Sequence, residues 1–302
     1  MYVGCIYEGD LYVVDVSNKA NPVNLGNVGT PSDFTHNAWV SDNGNYVFTT
    51  DEVSDAYLGS YDISDLNNIQ EIDRIQSNPG SNSIPHNTHV DGNFIITSYY
   101  RDGTVVHDIT NPHNLIEVAH YDSSPLSGDG FDGCWGTYPF LPSGNIISSD
   151  INSGNNNNGR LLIYSRDFLQ ACYLEGNVSD ITNSNPITNA TVEILNSVLT
   201  VQTSTDLSGN YMTGIANSSS YDIVFSAPGY LSDTINATFS NGNTTIVNSQ
   251  LQPLQSFNTS GTVIDVNGIG IPNSDVLIYN SSFTLNTITD ANGNFNINGI
   301  YE

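Results

Sequence analysis

Leu11-Tyr12-Val13-Val14-Asp15-Val16-Ser17 is a short apolar strand that runs into an Asp-x-Ser turn, and it sets a rhythm for the first half of the chain. Asp62-Ile63-Ser64 and Asp108-Ile109-Thr110 repeat the turn at offsets of 47 (15 to 62) and 46 (62 to 108). Six residues after each aspartate stands an asparagine: Asn21, Asn68 and Asn114. Aspartate and Ser/Thr side chains at these places suit a turn that bonds its own backbone, and the apolar runs 69–75 and 115–121 open the next strand. A second mark keeps the same period. His36-Asn37-Ala38-Trp39, His86-Asn87-Thr88-His89 and Asp132-Gly133-Cys134-Trp135 follow at spacings of 50 and 46, each leading to a glycine turn and a strand. A repeat of this length, with several short strands and no helical periodicity, predicts β-propeller blades. The chain holds roughly three and a half, short of the about four to eight that close a ring and hide its edges.

These residues resemble a known family. Leu11-Tyr12-Val13-Val14-Asp15-Val16-Ser17 looks like the LVIVD repeat. His36-Asn37-Ala38-Trp39, Pro85-His86-Asn87 and the segments Trp135-Gly136-Thr137-Tyr138-Pro139-Phe140 and 142–150 look like the end of the choice-of-anchor B proteins, over about residues 3 to 165. The resemblance implies an exported bacterial protein with a fuller propeller and a variable C-terminal anchor. This chain departs from that pattern by lacking early blades and a signal peptide, so it is expected to be an internal piece of a longer exported protein.

From Glu175 the pattern changes to short alternating strands that occur twice. Gly176-Asn177-Val178, Ala190-Thr191-Val192-Glu193-Ile194 and Thr205-Asp206-Leu207-Ser208-Gly209-Asn210-Tyr211 are echoed by Gly261-Thr262-Val263, Ser274-Asp275-Val276-Leu277-Ile278 and Thr289-Asp290-Ala291-Asn292-Gly293-Asn294-Phe295. The offsets are 85 (176 to 261) and 84 (209 to 293). Each Asp-x-x-Gly supplies an Asx turn and a residue with positive φ between two strands, the hairpin chemistry of an antiparallel sandwich. Both copies resemble the carboxypeptidase regulatory-like domain, with its carbohydrate-binding-like, prealbumin-like sandwich. That name brings no peptidase chemistry, because no HExxH or HxxE zinc motif is present. The expected architecture is all-β: the last blades of a propeller over 1–168, a sandwich over 171–253 and a second, truncated one over 255–302.

Composition narrows the partners. Five basic against 31 acidic residues give a net charge of −26, which repels nucleic acid and anionic lipid. With 38% apolar and 10% aromatic residues the chain has material for a core, and its 41 asparagines favour turns over long helices. All five basic residues and all six histidines precede residue 167, which places a boundary near 167–172; the Asn155 to Asn158 run just before it reads as a solvated loop within the last blade. No apolar run is long enough to span a membrane, and Cys5, Cys134 and Cys172 form no CxxC pair.

In a propeller, His36, His86 and Asp132 would converge near the central channel. Two imidazoles and a carboxylate there could ligate a divalent metal, with Asp51 and Asp150 as oxygen donors in a neighbouring layer. Polar residues at such positions also serve simply to bond loops and channel water. His89 aligns with Trp39 and Trp135 and reads as packing between blades, and His107, His113 and His120 carry no assigned role. No G-x-S-x-G elbow, Ser/His/Asp order or EF-hand spacing occurs. The expectation is a non-enzymatic secreted or cell-surface binding protein, its propeller presenting a surface for a protein or glycan, its sandwiches acting as spacers or accessory glycan-binding modules. The alternatives are a metal-dependent hydrolase or oxidase using the channel, and a purely structural stalk.

Overall fold

The computed structural model describes residues 1–151, 158–195, 201–279 and 284–301, and their regular structure is β apart from one 3-10 turn at Tyr100–Asp102. Four antiparallel meanders fill the first half. The first sheet is β1 (Tyr2–Cys5), β2 (Asp10–Asp15) and β3 (Val23–Gly29); the second is β4 (Thr35–Val40), β5 (Tyr46–Asp51), β6 (Leu58–Asp62) and β7 (Gln70–Ile75). The third is β8 (Pro85–Asp91), β9 (Phe94–Tyr99), β10 (Gly103–Asp108) and β11 (Ile116–Tyr121), and the fourth is β12 (Gly133–Tyr138), β13 (Ile146–Ile151) and β14 (Arg160–Tyr164).

The repeated aspartates end β2, β6 and β10. Asp15, Asp62 and Asp108 each accept the amide two residues on, from Ser17, Ser64 and Thr110, at 2.8, 2.8 and 2.7 Å. The amides of Asn21, Asn68 and Asn114 then close a second turn on the carbonyls of Asn18, Asp65 and Asn111. Aligned on these turns, and among the described residues, the first sheet has no counterpart of β4 and β8 and the fourth none of β7 and β11. Neighbouring sheets pack through their early strands: β1 on β4, β5 on β8, β9 on β12. Leu11, Val13, Val47 and Tyr61 fill the first gap, Phe48, Leu58, Val90 and Ile95 the second, and Ile96, Val106 and Ile146 the third. Val47 and Phe48 are adjacent and both fully buried, as a strand covered on both faces requires. The sheets thus stack as an open arc, and no closed barrel or propeller ring is present among the described residues.

At Cys172 the chain enters a sandwich, next to the composition break. Its strands are β15 (Cys172–Asp180), β16 (Thr191–Ile194), β17 (Val201–Ser204), β18 (Asn210–Ile215), β19 (Ser220–Ser226), β20 (Asp233–Thr238), β21 (Thr244–Ile246) and β22 (Ser249–Leu251). One sheet runs β18-β15-β21 with β22 further along β15, and the other runs β17-β16-β19-β20. Strict alternation in β19 sends Tyr221, Ile223 and Phe225 inward, where they meet Leu174, Val178, Val192, Tyr211, Phe239 and Leu251. Asp108 ties this body to the arc, since its second oxygen accepts the buried Ala171 amide at 2.6 Å, and the Asn114 amide group donates to the Thr213 carbonyl at 2.9 Å.

Residues beyond 255 repeat the sandwich's first elements as two strand pairs, β23 (Ser256–Thr262) with β26 (Asn294–Tyr301) and β24 (Asp275–Tyr279) with β25 (Thr284–Ile288). The local chemistry is duplicated atom for atom. Asp206 accepts the amides of Ser208 and Asn210, and Asp290 those of Asn292 and Asn294, all at 2.8 Å, around Gly209 (φ 76°) and Gly293 (φ 80°). Those backbone bonds hold the Asp290 carboxyl below its ordinary pKa. Thr205 and Thr289 likewise donate to Ile187 and Ile271 carbonyls and accept the Ala190 and Ser274 amides. Of the loop expected at Asn155 to Asn158, residues 155–157 lie outside the described residues, as does Glu302.

Candidate functional site

β4, β8 and β12 each carry a register shift near their start, between Thr35 and Asn37, Pro85 and Thr88, and Cys134 and Gly136. The extra residues are His36, the pair His86 and Asn87, and Trp135. A bulge re-aims the side chain it releases, and here it brings three rings into one row. His36 and His86 lie 4.7 Å apart by ring centroid, and His86 stacks on Trp135 at 5.7 Å with an 18° interplanar angle.

The carboxylate that joins the two histidines is Glu52. Thr35 pairs with Asp51 across β4 and β5, so the next residue of β5's exit lies beside His36. Glu52 presents Oε2 to His36 Nδ1 at 3.1 Å and Oε1 to His86 Nε2 at 3.5 Å. Tyr100, just past the end of β9, donates its hydroxyl to Glu52 Oε1 at 2.6 Å, and burial together with that carboxylate raises the phenol's pKa. His86 Nδ1 sits on the Trp135 carbonyl oxygen, which can only accept, so Nδ1 is the donor of that contact; toward Glu52 the neutral ring presents a lone pair at Nε2 and the protonated ring an N–H. The Asn87 amide group also lies beside this ring, 3.0 Å from Nδ1 and 3.4 Å from Nε2. Burial pushes the His86 pKa down, against the opposing pull of Trp135 and Glu52. His36 Nδ1 is buried and, although close to Glu52, makes no hydrogen bond of acceptable geometry. The potential donor atoms of His36, Glu52 and His86 lie within 4.8 Å of one another, and no other group of three His, Cys, Asp or Glu among the described residues comes so close.

Asp132 stands elsewhere. Val40, Val90 and Tyr138 pair with Val47, Ile95 and Ile147, and counting back from those pairs sets Gly133 and Cys134 opposite the Thr35-His36 and Pro85-His86 positions. The spacing of 46 is two residues short at this repeat, so Asp132 precedes β12 and its carboxylate takes the Arg101 guanidinium at 2.9 Å. Trp135 occupies the place beside His86 instead. Asp51 is fully buried and structural in its contacts: it accepts Thr30 Oγ1 at 2.7 Å and the Ser32 amide at 2.6 Å, tying the first sheet's exit to the second. Asp150, 2% exposed, pairs with Arg160 across β13 and β14 at 3.2 Å. Neither belongs to the close group of donor atoms. His89 packs against Trp39 at 4.7 Å and Phe140 at 6.0 Å, in an apolar setting that lowers its pKa. His120, desolvated by burial yet bonded to Glu117 and to the Asp102 carbonyl, has its pKa raised to about 8.

On the far side of His86 lies a cavity of about 260 Å³, edged by Asn87, Trp135, Tyr138, Ser149 and Leu161. Trp135 and Tyr138 are 51% and 46% exposed, and Phe140 at 38% stacks on Trp39 at 5.7 Å. An aromatic row thus faces solvent beside a small polar set.

A family model of the LVIVD repeat matches residues 1–30, and one of the carboxypeptidase regulatory-like domain matches residues 173–252. No curated protein matches the chain. Among solved structures, a streptococcal ancillary pilin aligns at 10% identity and a TM-score of 0.35, over 80% of this chain and 72% of its own. A chain of a nidogen/laminin complex aligns at 12% identity and a TM-score of 0.36, over 74% and 87%. A minor pilin of Streptococcus agalactiae aligns at 14% identity and a TM-score of 0.24, over 39% of this chain and 63%, less than two thirds, of its own. Among the described residues no helix is long and apolar enough to cross a membrane. The chain is therefore similar to the LVIVD repeat at its start and to the carboxypeptidase regulatory-like domain across its first sandwich.

Proposed function

We propose that this chain is a non-enzymatic, multimodular binding protein of the cell exterior. Its first 168 residues act as the last blades of an LVIVD-type propeller and present a glycan-binding face, and the sandwiches of 171–253 and 255–302 act as acidic spacers. The observation that carries the reading is Trp135, half exposed at the edge of the 260 Å³ cavity and held flat by His86. A sugar ring offers an apolar C–H face and a rim of hydroxyls. An exposed indole takes the first, and Asn87 and Ser149 supply donors and acceptors for the second. The net charge of −26 fits a surface that stays solvated and shuns nucleic acid, and the choice-of-anchor B resemblance fits an exported setting.

A glycan array followed by titration of the best ligand tests the site. Trp135→Ala is expected to weaken binding by about tenfold or more, the worth of an aromatic contact plus its area, with the thermal midpoint nearly unchanged. Undiminished binding by that variant would remove the site, and turnover of a bound glycan or of a hydrolase or oxidase substrate would replace the binding reading by an enzymatic one.

A further inference from the structure

We propose that His36, Glu52 and His86 form a mononuclear site for a divalent transition metal of the zinc type, with Tyr100 as the residue that orients its carboxylate. The site is separate from the glycan reading and stands on different observations. His86 Nε2 and Glu52 Oε1 oppose each other at 3.5 Å with the His86 ring proton committed to the Trp135 carbonyl on the other side. With a neutral His86 ring these are two acceptors face to face, an arrangement that a cation bound between or beside them relieves. His36 Nδ1 approaches the other carboxylate oxygen at 3.1 Å, buried and without a hydrogen bond of acceptable geometry.

The spacing suits coordination. Donors around a tetrahedral zinc with bonds of about 2.0 to 2.1 Å stand about 3.3 to 3.4 Å apart; the two histidine–Glu52 gaps, one to each carboxylate oxygen, bracket that value, and the three donor atoms as a set lie within 4.8 Å, so a small inward shift of the side chains completes the site. The outer contacts are those of a metal-ligating set: a histidine whose second ring nitrogen donates to a backbone carbonyl, and a carboxylate fixed by a phenol. Two imidazoles and one carboxylate select zinc, cobalt, nickel or iron(II) over calcium and magnesium, which prefer oxygen donors. Three protein ligands leave a coordination position open. Because His86 also stacks on Trp135, binding of the ion would be felt by that indole.

The test uses the purified full chain, stripped with EDTA and titrated calorimetrically with Zn²⁺, then with Co²⁺ followed by its visible d–d bands and by tryptophan fluorescence. One ion per chain is expected, with tetrahedral or five-coordinate cobalt spectra and a change in Trp135 emission that Trp135→Phe abolishes. Tyr100→Phe should weaken binding by about 10- to 100-fold because the phenol orients a ligand without being one, and Glu52→Gln and His36→Ala by more. Asp132→Asn, Asp51→Asn and Asp150→Asn should leave stoichiometry unchanged, with circular dichroism confirming that each variant folds. Absence of stoichiometric uptake, or uptake unaltered in both Glu52→Gln and His36→Ala, overturns the site and leaves a proton shared by the cluster as its cation. Glycan titration of the EDTA-treated protein separates this outcome from failure of the glycan reading.

Discussion

Gly176→Ala should destabilise the sandwich of 172–251 by about 3 kcal/mol, the upper end of what overpacking ordinarily costs. Gly176 lies mid-strand in β15, opposite Tyr211, and a Cβ built there would stand 1.8 Å from the Val247 carbonyl oxygen and 2.9 Å from the Tyr211 hydroxyl. The first obstacle is backbone and cannot rotate away. Val247 is also the acceptor of the Tyr211 hydroxyl at 2.7 Å, so relief of the clash breaks a buried hydrogen bond. The repeat supplies its own control. At Gly261, opposite Phe295, the new Cβ meets only ring carbons at 2.8 Å, and a side chain can tilt; Gly261→Ala should cost about 1 kcal/mol. Urea unfolding combined with amide exchange of β15 and β18 measures both. A wild-type midpoint for Gly176→Ala would contradict the close approach.

Acid should unfold the protein earlier than its carboxylates alone would require, because of His107. This side chain is fully buried in β10, and neither ring nitrogen has a hydrogen-bond partner among the described residues. Desolvation, with a smaller push from His120, lowers its pKa to about 3, against 6.5 for an imidazole in water. The folded pKa is thus below the unfolded one. Above pH about 6.5 both states are neutral and nothing is lost; between about 6.5 and 3 the unfolded chain binds a proton that the folded chain refuses, and stability falls by up to about 1.4 kcal/mol per pH unit. His107→Leu should remove roughly that slope between pH 6 and 5, a window above most carboxylate titration. His120 acts in the opposite sense, its contribution being present below the unfolded pKa and lost as pH rises through about 8. Equal slopes for wild type and His107→Leu would show that water or a rearranged partner solvates the imidazole.

What is legible in the sequence is local. Asp15, Asp62, Asp108, Asp206 and Asp290 bond amides two residues away, a contact that depends on the side chain and its own turn and on little else, so the repeats announce themselves. The neighbourhood of His36 and His86 is legible for the same reason, since equivalent positions on adjacent strands meet in space. Glu52 is not. Its counterparts one and two sheets on in the sequence are Tyr100 and Asn152, so no repeated acid marks the position, and only the pairing of Thr35 with Asp51 reveals that it borders His36. Asp132 falls away from the site because the connection into β12, residues 122–132, is two residues longer than the one into β8, residues 76–84, which no constant period can anticipate. The pairing of a glycine with an aromatic ring in both sandwich copies is visible as two letters, Gly176 with Tyr211 and Gly261 with Phe295; its reason, a ring laid over a bare backbone, needs the register.

In the sandwich, the strand by which the chain arrives and the strands by which it leaves are parallel neighbours. Tyr173 to Glu175 align with Thr244 to Ile246, and Val178 to Asp180 with Ser249 to Leu251. The backbone bonds Tyr173 to Asn243, Val247 to Glu175 and Ile181 to Leu251 bridge them along the length of β15. Tension on the two ends therefore pulls along the strand axis, and the bridging bonds share the load and must fail together. An antiparallel pair such as β24 and β25, pulled from its open end, parts one bond at a time. The time such a body holds under force is governed by its rate of unfolding, and this geometry places a clamp across that step.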